Sequence, residues 1–208
     1  INTHHHFDHT AGNIAFKDIT EVILAHENSK ANQVTTAEER GNVNEQLFPD
    51  TVFKDNWSGR LGSETITAKY FGPAHTNGDG IIHFENDNVA HVGDLVFNRR
   101  FPYIDMKAGA SIINWVEVLN KINNHYDNDT LFIFGHSSEG YPVTGSKNDL
   151  SAMGNYLSKV LDLVNKDLKA GKSNEEILTH TSIPGAEEWT GRGIQTSLNS
   201  AIEELNNK

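Results

Sequence analysis

The chain of 208 residues contains no cysteine. That excludes disulfides, thiolate zinc sites and cysteine nucleophiles together, and it leaves the redox compartment open, since a thiol-free chain is at ease in either. Basic residues are scarce: 17 Lys and Arg stand against 28 Asp and Glu, for a formal net charge of −11. This balance argues against a nucleic-acid partner, whose affinity comes largely from cations on phosphates. Arg99-Arg100 is the one basic pair that stands out. Long apolar runs are also missing, and none approaches the roughly 18 residues that mark a membrane span. A soluble globular protein acting on a small molecule, with neither nucleic acid nor membrane as partner, is the expectation. No feature specifies an oligomeric state. The acidic, Asn- and Thr-rich, Cys-free composition leans toward a periplasmic or secreted bacterial protein over a cytoplasmic one.

Domains run to roughly 100–200 residues, so this length suits one domain with a core that needs no disulfide. A short helix is expected over 11–16, a buried strand over 21–25, and a polar helix from Ser29 to Arg40. From Thr51 to His91 the pattern is β, with strands at 51–53, 64–71, 80–84 and 88–92 separated by turn residues such as Asn77-Gly78-Asp79-Gly80. Ser111 opens a helix with Ile112, Trp115, Val116, Leu119 and Ile122 on one face. Residues 130–134 form an apolar strand that ends at Gly135-His136. Leu150, Met153, Leu157, Val160, Leu161, Val164 and Leu168 keep helical spacing, started by Ser146 with Asp149 and stopped by Gly171; Ser173 with Glu176 repeats the start signal. Residues 194–205 form a last helix. The reading is one α/β domain over 1–208, with a helical C-terminal segment over 146–208.

The informative stretch is Thr3-His4-His5-His6-Phe7-Asp8-His9-Thr10. In an extended segment, residues two apart point the same way, so His4 and His6 can converge on one ion while His5 faces elsewhere. Asp8 and His9, past the bend, can reach a second ion. Imidazole nitrogen and carboxylate oxygen are ligands that a borderline cation such as zinc prefers. Further candidates lie at strand ends, where a β scaffold projects functional side chains: His75, Asp94 and His136. The other histidines are left out of the set, His91 being the nearest to it. Arg99 and Arg100 are candidates for holding a substrate carboxylate, because guanidinium pairs with carboxylate through two hydrogen bonds. Tyr141 and Tyr103 are candidate donors to an oxyanion.

The order His-x-His-x-Asp-His, then His, then Gly-Asp, then Gly-His resembles the metallo-β-lactamase superfamily of dinuclear metal hydrolases over residues 3 to about 136. The resemblance implies that His4, His6 and His75 hold one metal and that Asp8, His9 and His136 hold the other, with Asp94 bridging. It implies two Zn2+, with iron or manganese as alternatives. It also implies a four-layer αββα sandwich of α/β class, with the metals at one edge. In that fold several strands precede the His motif, so a chain that opens Ile1-Asn2-Thr3 reads as N-terminally truncated. The chemistry implied is hydrolysis of an acyl bond (ester, lactone, thioester or lactam-like). A hydroxide shared by the metals would attack the carbonyl, and Asp8 would orient it as the catalytic carboxylate. Two metals about 3.5–4 Å apart lower the pKa of such a water toward ~7.

Asp94 separates this chain from the β-lactamases that carry Cys at that position. The tail offers few basic residues of the kind that bind substrate in the thioesterase branch. A mononuclear iron dioxygenase on the same fold, or a metal-binding protein without hydrolase activity, is the alternative.

Overall fold

The computed structural model describes residues 1–207. Its first six residues bend over Thr3–His5 and lead into a single helical turn, α1 (Phe7–Thr10), and then a 3-10 turn over Ala11–Phe16. Strand β1 (Leu24–His26) runs straight into helix α2 (Glu27–Arg40). The His26 ring accepts the Asn28 N–H at the start of α2, and Gly41, at φ 68°, ends it in the left-handed region. Strand β2 (Thr51–Phe53) pairs parallel with β1.

Strands β3 (Asn56–Leu61), β4 (Glu64–Tyr70), β5 (Gly80–Phe84) and β6 (Val89–Asn98) then form an antiparallel meander. Helix α3 (Ile112–His125) supplies the crossover to β7 (Leu131–Ser137), which lies parallel to β6, and β8 (Thr144–Gly145) closes a six-stranded sheet. Helices α4 (Lys147–Lys169), α5 (Asn174–Ile177) and α6 (Ile194–Asn206) follow.

The layers stack because each element has one apolar face. Helix α2 lies on the two-stranded sheet, which meets the large sheet across Leu24, Phe53, Ile66, Ala68 and Ile82. On the far side, α3, α4 and α6 cover the large sheet with Trp115, Leu119, Leu150, Tyr156, Val160 and Leu198, all buried with Phe132 and Leu95. This is the four-layer αββα sandwich expected from the motif order. Trp115 is wholly buried and its indole N–H donates to the Leu95 carbonyl at 3.0 Å, so truncating it to Ala would cost about 3–5 kcal/mol. Glu204 of α6 accepts the Ile112 N–H at 2.7 Å, placing a carboxylate on the positive end of α3.

Both capping boxes are formed, Ser146 with Asp149 and Ser173 with Glu176, although the second starts only a four-residue helix. Residues 178–193, between α5 and α6, make turns. Trp189, stacked on Tyr156 at 4.9 Å, pins that stretch to the core in place of helical hydrogen bonds. Strand β3 was not expected: Asn-Trp-Ser-Gly-Arg-Leu has no apolar alternation, and it is held by pairing to β4 at the sheet edge. Strand β6 runs past Val92 to Asn98 through an irregular register at Gly93, φ 51°. Among the described residues no helix is long and apolar enough to cross a membrane.

Candidate metal centre

Residues 1–10 carry half of the site, and a dense polar network gives them their shape. Asn2 and Asn13 exchange amide hydrogen bonds at 3.0 and 2.9 Å, and Asn2 also donates to the His9 carbonyl. The Thr3 carbonyl accepts the Gly80 N–H at 2.7 Å, tying the segment to the large sheet. Thr10 donates to the His6 carbonyl and fastens the turn. His4 and His6 come to one side, and the α1 turn then swings Asp8 and His9 to the next position. His5 lies apart from that first set, but it does not leave the region: its Nε2 is 3.6 Å from the Asp105 oxygen that His6 meets at 2.9 Å, and His5, His6 and Asp105 bring ligand atoms within 4.8 Å of one another.

Two glycines make room for this arrangement. A side chain at Gly93 would come within 2.7 Å of Thr3 Oγ1, and one at Gly135 would run into the Asp94 carboxylate. Only glycine at these two positions lets the His loop lie on β6 and lets Asp94 lie beside β7.

The predicted residues converge as two groups. His4, His6, His75 and Asp94 present ligand atoms within 4.8 Å of one another, and so do Asp8, His9 and His136. Asp94 stands between them: its Oδ2 lies 3.5 Å from His75 Nε2 and 3.9 Å from His4 Nε2, while its Oδ1 lies 3.0 Å from His9 Nε2. Oδ2 is also 3.4 Å from His136 Nε2, which is itself 3.1 Å from Asp8.

Hydrogen-bond partners fix the tautomers of the first group. The Tyr103 carbonyl can only accept, so at 2.9 Å His75 Nδ1 carries the proton and Nε2 of the neutral ring is a bare lone pair. The Asp105 carboxylate 2.9 Å from His6 Nε2 does the same, leaving His6 Nδ1 bare. Yet His75 Nε2 and His6 Nδ1 lie 2.9 Å apart, with His4 Nε2 3.0 Å from the same His6 nitrogen. A proton between them relieves one of these pairs; a single cation relieves all of them. In the second group, His9 Nε2 and Asp94 Oδ1 are buried, and neither finds an aligned hydrogen-bond partner. The donor set, three imidazoles and a shared carboxylate against two imidazoles and two carboxylates, therefore fits a pair of divalent cations.

The electrostatics differ between the groups. Burial holds His4 well below its ordinary pKa and brings His75 down to about 4, so both rings are neutral at pH 7, the form that ligates. Burial also opposes a charge on His9, but the Asp94 carboxylate 3.0 Å away outweighs it and raises its pKa. Asp94 raises His136 likewise. For Asp94 itself burial favours the acid form; His136, His9, His75 and His4 around it win, and the carboxyl is held well below its usual range.

A cleft of about 620 Å³ opens over both groups, lined among others by Phe7, Asp8, Asp94, Arg100, Tyr103 and His136. Arg100 thus stands where a substrate would lie. Arg99 does not: the carboxylates of Asp149 and Glu188 lie 3.9 Å from its guanidinium, which also sits 4.7 Å over the Trp189 ring. Its backbone, at φ 57°, turns the side chain away from its neighbour. Tyr141 lies outside the cleft lining as well, under the same guanidinium at 5.7 Å. Of the residues expected to bind substrate, Arg100 lines this cleft, and Arg99 and Tyr141 do not. His91 Nδ1 accepts the Gly93 N–H at 3.0 Å and so supports the irregular stretch of β6. Asp105 was not singled out from the sequence. Its one signal is its place in the loop after Arg100-Phe101-Pro102-Tyr103, and nothing in residue spacing pairs it with His6, 99 positions away.

Comparison with known proteins agrees with this picture. The sequence model of the metallo-beta-lactamase superfamily matches residues 1–136. No curated protein matches the sequence. Among solved structures, a metallo-beta-lactamase from Pontibacter korlensis is similar with a TM-score of 0.60 at 19% identity, over 76% of this chain and 67% of that one. A metallo beta-lactamase from Hirschia baltica gives 0.56 at 17%, over 74% of this chain and 65% of that one. The matched part thus spans about two thirds of each, and at such identities the likeness is one of fold.

Proposed function

The chain belongs to the metallo-β-lactamase superfamily, and from that premise we propose that it is a dinuclear zinc hydrolase acting on an acyl bond of a small molecule. The observation that carries the reading is the convergence of seven side chains from four separate segments into two ligand groups that share Asp94. His4, His6 and His75 would hold one ion, Asp8, His9 and His136 the other, and Asp94 both. Bound there, two divalent ions would supply a Lewis acid for the acyl carbonyl and water acidified toward neutral pH.

The chain's own residues do the rest. Asp105 and the Tyr103 carbonyl lock His6 and His75 with their lone pairs toward the site. Asp8, 56% exposed at the floor of the cleft and 3.1 Å from His136, can accept a proton from a water and aim its oxygen at the substrate. Tyr103 stands over His6, with ring centroids 5.5 Å apart, and forms a wall against which an acyl group can rest.

The test is elemental analysis of the purified chain together with a panel of esters, lactones, thioesters and β-lactams. Two zincs per chain and turnover of at least one acyl substrate are expected. Asp8→Asn should keep the fold and lower turnover by about 100-fold or more, the scale of a lost proton acceptor. One iron per chain with oxygen-dependent chemistry, or unchanged turnover in Asp8→Asn, would overturn the reading.

A further inference from the structure

His5 is the one histidine of the run that belongs to neither of the two groups sharing Asp94. Its side chain is only 3% exposed. Among the described residues its buried Nδ1 meets no hydrogen-bond partner, and the atom facing Nε2 is Asp105 Oδ2, at 3.6 Å too far for a hydrogen bond. A buried imidazole with neither nitrogen engaged has given up its water without replacement, and such orphaned groups mark places where a water or an ion binds.

The atoms around it form a donor set. His5, His6 and Asp105 bring ligand atoms within 4.8 Å of one another. Asp105 Oδ2 lies 3.6 Å from His5 Nε2 and 2.9 Å from His6 Nε2. Two ligands on a tetrahedral zinc, with bonds of about 2.0–2.1 Å, stand about 3.3–3.4 Å apart, which falls between those separations. The two rings lie 4.5 Å apart between centroids and are inclined at 51°, so their edges meet at the one carboxylate oxygen. His6 offers this set a nitrogen that the first ligand group leaves aside: Nδ1 faces His4 and His75, and Nε2 faces Asp105. All three residues line the cleft, where water can complete a fourth position. Two imidazoles and a carboxylate suit zinc.

We infer that His5, His6 and Asp105 form a third divalent-cation site, and that zinc bound there inhibits the protein. His6 would bridge two cations, through Nδ1 to the first and through Nε2 to the third, and its Nε2 proton would pass to solvent. That displaced proton weakens the third position, and so does Arg40, which lines the same cleft and whose charge bears on His5. The third cation therefore binds only after the two that share Asp94. The binding does not rest on the hydrolase reading, but the inhibition does: the cation takes from His6 the carboxylate that orients it, and occupies one side of the cleft.

The test dialyses the metal-free chain against zinc buffered at rising free concentration, counts zinc per chain, and follows turnover of 4-nitrophenyl acetate. The count should reach two, then three at about tenfold or more higher free zinc, with turnover falling as the third is taken up. His5→Gln should stop at two, with the first two equivalents little changed, and should escape inhibition. Arg40→Gln, at the exposed end of α2, should tighten the third equivalent by about threefold or more at low salt, because a charge is removed from beside a dication. His125→Gln, which removes an exposed imidazole outside the cleft lining, should change nothing. A count that never passes two, or a third equivalent that survives His5→Gln, would overturn the site. If His5→Gln disturbs the first two equivalents as well, Arg40→Gln decides, and no tightening there would overturn the site. A third equivalent lost in His5→Gln, with no turnover at any zinc concentration, would keep the site and remove the hydrolase reading and the inhibition with it. Turnover at two equivalents without a third would do the reverse, leaving the hydrolase and removing the site.

Discussion

His4 and His75 of the first ligand group have side chains 1% and 0% exposed, whereas His136 and Asp8 of the second are 30% and 56% exposed. The same residue types are thereby put to different use. In the first group burial keeps His4 and His75 neutral, and fixed acceptors (the Tyr103 carbonyl for His75, the Asp105 carboxylate for His6) choose which nitrogen is bare. In the second, proximity to Asp94 favours the protonated rings, and His136 stacks on Phe97, 5.1 Å between centroids, with its Nε2 3.1 Å from Asp8. On the proposed reading, the first group would receive a cation already organised, and the second, which opens onto the cleft, would be completed by one. The expectation is a tight position and an exchangeable one, with Asp94 shared between them.

Removing that shared residue should have the largest effect. Asp94→Asn should leave at most one tightly held metal per chain and lower acyl turnover by more than the roughly 100-fold reached when an outer partner of a metal ligand is lost. Two metals retained at wild-type affinity would end the idea of a shared carboxylate. The two groups can then be separated. His75→Ala should abolish the tight equivalent in a zinc titration, whereas His136→Ala should keep it and weaken only the second. If both variants lose the same equivalent, the contrast between the groups is wrong. Gly135→Ala belongs with these, because its methyl would collide with the Asp94 carboxylate; both equivalents should weaken together.

How much of this was legible depended on whether the cause was local. The spacing of His4, His6, Asp8 and His9 was readable because direction along an extended run and a turn is a property of adjacent residues. Capping boxes at Ser146 and Ser173 and the apolar face of α3 were readable for the same reason. Strand β3 was not, since an edge strand of Asn, Ser, Gly and Arg is held by its neighbour and not by its own pattern. Arg99 and Arg100 looked interchangeable. Only the fold reveals that a left-handed residue and the partners Asp149, Glu188 and Trp189 turn one into scaffold and leave the other in the cleft. Asp105 acts on His6 across 99 positions of chain, a distance over which spacing carries no information.

Acidity should separate the two positions more gently than mutation does. A cation must displace whatever proton its ligands hold, so affinity falls by about tenfold per pH unit for each proton displaced once the pH is below the ligand's pKa. With His9 and His136 raised, and His4 and His75 lowered, going from pH 8 to 5.5 should weaken the second zinc equivalent more steeply than the first. Isothermal titrations at the two pH values measure this directly; parallel losses for both equivalents would contradict it.

The smallest expected effect is also the most selective. Asp105 belongs to neither of the two groups that share Asp94, yet its carboxylate 2.9 Å from His6 Nε2 decides that His6 turns a bare Nδ1 toward His4 and His75. Asp105→Asn keeps the volume and keeps an oxygen able to accept the Ala108 N–H now bonded at 3.2 Å. It removes the charge that holds the proton on Nε2, and its amide can instead donate and favour the other tautomer. First-equivalent affinity should then fall by about 10–100-fold, with the second equivalent and the thermal midpoint of the metal-free chain little changed. An equal loss in both equivalents would mean that Asp105 acts through the fold of the loop. Loss confined to the first would establish that a residue 99 positions from the motif sets which nitrogen of His6 faces the metal.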